Sequence, residues 1–130
     1  MNDDGQALVE FALVLPFLLL FALAIVLVAE IGVARLALEH AAAEGARVGS
    51  LTNDDEEIAR AIAAAVSPLD PARLRTRIEP GEHDAPRSAD PRGTLVRIAL
   101  EYTVPVPLSF AGLPNVTVRG SAARVMEWTP

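Results

Sequence analysis

Nineteen consecutive residues, Phe11 to Ala29, carry no ionisable side chain. As a helix they extend about 28 Å at roughly 1.5 Å per residue, close to the hydrocarbon thickness of a bilayer. A secretory signal peptide needs a basic n-region, an apolar stretch of roughly 7–15 residues and a small-residue cleavage site. Here the first four residues are Met-Asn-Asp-Asp, none of them basic, and the apolar run is longer. The run is therefore expected to remain as a membrane anchor.

The rest of the chain bounds what the anchor carries. At 130 residues there is room for one span and one small domain with a single core. The formal charge of −6 divides evenly, with Asp3, Asp4 and Glu10 on one side and, after Ala29, 14 acidic residues against 11 Arg. That balance argues against nucleic-acid binding. With no cysteine there is neither a disulfide framework nor a cysteine-based zinc site. The N-terminal flank has no Lys or Arg, so charge bias does not orient the span. A short N-terminus and a large C-terminal part favour N-in, C-out as the simpler topology.

Between Pro16 and Pro68 there is no proline, and Leu8 to Val48 is rich in Ala, Leu, Val, Glu and Arg. One long helix is expected there, kinked at Pro16 and leaving the membrane near Ala29. Beyond that point Val33, Leu36, Ala37, His40, Ala41 and Glu44 fall near one stripe, and Arg35, Glu39 and Arg47 lie elsewhere. Gly45 and Gly49 are the expected fraying point. Asn53 with Glu56 resembles a capping box, opening a second helix over 54–66 through Ile58, Ile62 and Val66. Leu74, Thr76 and Ile78 alternate with polar residues as a half-buried strand, and 80–93 reads as an exposed loop. Val96, Ile98, Leu100, Tyr102 and Val104 make the clearest strand, and a third is expected within 115–126. The fold class is thus α+β. A three-stranded antiparallel sheet needs its apolar face covered, and the soluble part of the long helix is the obvious cover.

The chemistry concentrates before the span. From Ala7 to Ala29 the only ionisable side chain is Glu10, five residues after Gly5. A carboxylate in an apolar helix is costly unless paired, so it is a functional candidate by default. The run GQALVEFALVLPFLLL, with RLALEHAAAEGAR at Arg35 to Arg47, resembles the processing site and helix of type IV prepilins, specifically the TadE-like family of minor pilins or pseudopilins. That resemblance implies a leader over residues 1–5, a transmembrane helix over 6–29 and a pilin-like head over 30–130. It also implies a prepilin peptidase that cuts between Gly5 and Gln6, other pilins of the Tad system as partners, and insertion in the inner membrane with the head extracytoplasmic. Cleavage would free an α-amino cation on Gln6, which Glu10 of a neighbouring subunit could neutralise, favouring one axial register. Gly5 suits a scissile position because without a side chain the peptide can extend into a tight active site.

Other residues carry less. His40 reads as a surface side chain, Trp128 as a core-packing one, and Glu82, His83, Asp84 and Asp90 as solvated loop residues rather than metal ligands. No nucleophile elbow, metal-ligand cluster or phosphate loop occurs, so a structural protein without metal or cofactor is expected rather than an enzyme. The alternative is an uncleaved single-pass protein whose head binds a partner outside the cytoplasm.

Overall fold

The computed structural model describes residues 3–107, 109 and 112–129. Met1 and Asn2 of the expected leader lie outside the described residues. Helix α1 runs Asp3–Thr52, 50 residues, with Pro16 inside it. At 1.5 Å per residue it is about 75 Å long, more than twice a bilayer's hydrocarbon. Helix α2 (Asp55–Ala65) follows, then a single 3-10 turn (Pro71–Arg73) and strands β1 (Leu74–Glu79), β2 (Leu95–Val104) and β3 (Val116–Val125). The sheet is antiparallel in the order β1-β2-β3. This is the α+β arrangement the periodicities imply.

The lower half of α1 stands bare, and the upper half is the spine of the head. The buried positions of α1 are Ala34, Ala37, Leu38, Ala41, Ala42 and Ala46, together with Gly45, Gly49 and Ser50. This corrects the expected stripe at Val33 and Leu36, which are exposed, and at Glu44, which is half-buried. Hydrophobicity favoured the larger side chains, but close packing selected the small ones, which let the helix approach the sheet and leave the core volume to Leu38, Ile58, Ile62, Ile98 and Leu100. On the solvent side Glu44 pairs with Arg47, whose guanidinium holds the Glu44 carboxyl below its usual range.

Gly45 and Gly49 do not fray the helix, which continues to Thr52. They are the points where α2 crosses. A Cβ on Gly45 would stand 2.7 Å from Ile62 Cγ1 and 3.0 Å from Ile98 Cδ1, and one on Gly49 2.8 Å from Ile58 Cδ1. The cost of glycine within a helix, about 1 kcal/mol each, is offset by this contact.

The two helices are joined by Asn53 and Asp54 alone, and the cap is Asp54 rather than Asn53. Its carboxylate accepts from the N–H groups of Glu56 at 2.8 Å and Glu57 at 3.1 Å. Asn53 instead ends α1 in the left-handed region at φ 51, which asparagine tolerates. With only two residues between helices, each serves a different end.

The sheet's inner face is Val96, Ile98, Leu100, Tyr102 and Val104 of β2 with Val118 and Gly120 of β3. Outside, Glu101 faces Arg119 in the register and the two pair at 2.8 Å. β1 contributes half-buried Leu74 and Ile78, but Thr76 is exposed, against the expected alternation. α1 lies over β2 and β3 and α2 packs against α1, so the edge strand β1 extends beyond the cover of α1.

The connection over 80–93 is not simply exposed. Arg87 is fully buried, donating from Nε to Asn53 Oδ1 at 2.7 Å and from Nη1 to Asp55 and to the Pro80 carbonyl. Glu82 and Asp55 complete the clasp, each carboxylate accepting the other's backbone N–H at 3.1 and 3.0 Å. The loop is thereby tied to the start of α2. Arg87→Met should lower head stability by roughly 1–3 kcal/mol, since Asp55 and the Pro80 carbonyl lose their donor. Urea denaturation of the detergent-solubilised chain, followed by Trp128 fluorescence, measures it. An unchanged midpoint would mean the clasp is not holding the fold.

The chain end returns to the spine: the backbone N–H groups of Glu127 and Trp128 both donate to Ser50 O, at 2.8 and 3.0 Å. Trp128 itself is half-buried rather than a core residue.

Candidate functional site

Gly5, Gln6 and Glu10 all lie in the first turns of α1, and all three are exposed. Gln6 and Glu10 are four apart, so their side chains share one face one turn from each other. Gln6 Nε2 donates to Glu10 Oε1 at 3.3 Å. That is near the long limit for such a bond, and it leaves the carboxylate with most of its acceptor capacity free. No Cβ contact constrains Gly5, which has nothing within 4 Å of the position a side chain would take. The peptide between Gly5 and Gln6 is helical here, so a protease that needs it extended must unwind α1 locally.

Above Glu10 the helix offers no other charge until Glu30. Its side chains are uncovered: Phe11, Phe17 and Phe21 are 61, 73 and 67 % exposed. A core helix of this composition would be mostly buried, and this apolar window is not buried at all. Water is a poor solvent for so large an apolar surface, and hydrocarbon or neighbouring helices are good ones. The helix is long and apolar enough to cross a membrane.

Chemically, the arrangement is a lone acceptor on an apolar rod. It can take a proton or pair with a cation. If Gln6 became the first residue, the new amine and the helix N-terminus would both present positive charge within about a turn of Glu10.

Two of the other acidic residues weighed from the sequence hold local structure. Glu82 accepts from Asp55 N and Asp84 from Gly81 N at 3.2 Å, and among the described residues no His, Cys, Asp and Glu group could hold a metal ion. His40 is exposed on α1. Sequence reasoning missed Arg87 and Gly120. For Arg87 no local signal existed, because its carboxylate partner is 32 residues away. For Gly120 one did: a glycine inside a strand marks a close backbone approach.

Residues 5–47 match the family model described as TadE-like protein. Over these residues the chain is similar to TadE-like proteins. The match opens on Gly5, includes Glu10 and ends at Arg47, five residues before α1 stops. It therefore covers the bare half of the helix and most of its packed half, while α2 and the sheet lie outside it. No curated protein and no solved structure matches the chain.

Proposed function

We propose that this protein is a minor pilin or pseudopilin of a Tad pilus, matured by a prepilin peptidase between Gly5 and Gln6 and acting as a structural subunit rather than an enzyme. The observation that carries this reading is the lone Glu10 in an uncovered apolar helix, inside the segment that matches the TadE-like family. Anchored in the inner membrane with its head extracytoplasmic, the protein takes part in priming or tip assembly with other pilins. Its span then moves from lipid into the filament core, where helices pack through Ala12, Ala22, Ala24, Ala29 and Gly32.

In that core the Glu10 carboxylate meets the Gln6 amine of an adjoining subunit. A buried charge left alone is expensive, and pairing removes most of that cost at one axial offset only. The register of the subunits follows from the spacing of two charges.

Intact-mass and N-terminal measurements on protein from its native producer test the processing step. The expected N-terminus is Gln6. A chain that keeps Met1 points instead to a permanent single-pass anchor whose head serves as a binding or scaffold module.

A further inference from the structure

The head has two unlike ends. α1 rises from the bare segment, and the strands alternate in direction, so the 80–94 connection lies at the far end and the described residues of the next connection, 105–107, 109 and 112–115, beside the bare helix. The far connection carries Glu82, His83, Asp84, Arg87, Asp90 and Arg92. The near one belongs to a stretch, Tyr102 to Val118, with no Asp, Glu, Lys, Arg or His.

At the near end an open, largely apolar groove of about 500 Å³ runs between α1 and the head, lined by Ile25, Val26 and Val33 on one side and Leu69, Val104 and Pro105 on the other, with Glu30 as the one charged residue in its lining. Ile25 and Val26 belong to the uncharged run that ends at Ala29. Leu27, in the same run, packs partly against the head's core cluster. The head therefore laps over the last turn of the span. Ile25 is four residues below Ala29, about 6 Å along the axis, which is comparable to the thickness of one headgroup layer.

We propose that the near end of the head rests in the bilayer surface, with Pro105 to Pro107 and Gly112 to Asn115 at the boundary between headgroups and acyl chains and lipid filling the groove. This rests on the anchor in the functional reading and goes beyond it by placing the head. Three features favour lipid as the occupant. The groove is continuous with the membrane-crossing surface of α1. Pro105, Pro107 and Pro114 bring no N–H donor into a poorly hydrated layer, which lowers the cost of irregular backbone there. Arg73 and Arg75 line an open pocket with Pro105, Ser109 and Asn115 at the same end, suited to lipid phosphates. Arg73 has Asp70 near it at 3.8 Å, and Arg75 is free of any such pair among the described residues.

The chain has no cysteine, so single labels are unambiguous. Full-length Phe17→Cys, Leu113→Cys and Ser88→Cys, each carrying an environment-sensitive fluorophore, are reconstituted in phosphatidylcholine vesicles with and without phosphatidylglycerol. Leu113 is half exposed and Ser88 exposed, so neither change disturbs the core. The label at 113 is expected to lose about two-fold or more of its emission to lipid bearing a shallow nitroxide and to resist aqueous iodide, as interfacial segments do. The label at 88 should behave oppositely, and the label at 17 should respond to a deep nitroxide. Iodide access at 113 equal to that at 88 overturns the placement while leaving the anchor standing. Protection at 113 that vanishes on diluting protein in lipid identifies a second copy as the cover and overturns it too. No quenching at 17 overturns the anchor and the placement together.

Discussion

Cells producing Glu10→Ala are expected to insert the protein, trim it after Gly5 and yet assemble no pili. The substitution costs the isolated chain little, since Glu10 is exposed and, among the described residues, its side chain bonds only to Gln6 at 3.3 Å. In a filament the same change strands the Gln6 amine of the neighbouring subunit in apolar surroundings. Removing one partner of a buried pair costs about 3–5 kcal/mol. At 1.4 kcal/mol per factor of ten, that is roughly a hundred- to several-thousand-fold weaker addition for each subunit. Electron microscopy of sheared filaments, with immunoblots for the membrane-bound and mature forms, gives the readout. Wild-type piliation by the mutant would remove the amine pairing from the account.

Gly120→Val is expected to produce the largest loss of stability in the head. A Cβ at this position would stand 2.8 Å from Leu38 Cβ, 2.9 Å from Glu39 N and 2.9 Å from Leu38 C. Two of those atoms belong to the α1 backbone. At Gly45 and Gly49 the nearest atoms are side-chain carbons of Ile62 and Ile58, which can turn aside. At Gly120 the helix itself has to lift from the sheet, opening the contact that buries Leu38, Leu100 and Val118. Overpacking typically costs 1–3 kcal/mol, and a rigid obstacle places this case at about 3 kcal/mol or more. Loss of a cooperative urea transition, or a midpoint shifted to far lower urea, meets the expectation. A change below that seen for Arg87→Met would show that α1 and β3 are not held as closely as the geometry has them.

The elements themselves were legible. Uncharged length marked the apolar helix, four-residue spacing marked α2, and two-residue alternation marked β2 nearly to the residue. These are local patterns, readable because each element repeats its geometry every few residues. The candidate site could be proposed from the sequence because Gly5, Gln6 and Glu10 lie within six residues of one another.

The failures share a different character. Periodicity puts Val33 and Leu36 on the inward stripe, yet both are exposed, while the alanines beside them are buried. Gly45 and Gly49 looked like a helix end and are a helix crossing. Arg87 looked solvated and is buried 32 residues from its carboxylate. In each case the outcome depends on which distant surface arrives at that position and how closely.

The amino-acid order alone determined an apolar rod with a single carboxylate near its start, followed by a small α+β head, because periodicity and polarity act over one or two turns of chain. Tertiary structure decided which face of the rod is covered, why glycines and alanines occupy it, and that the head laps over the end of the span. Those depend on steric fit between segments far apart in sequence, and a volume shared between two surfaces is not encoded in either one.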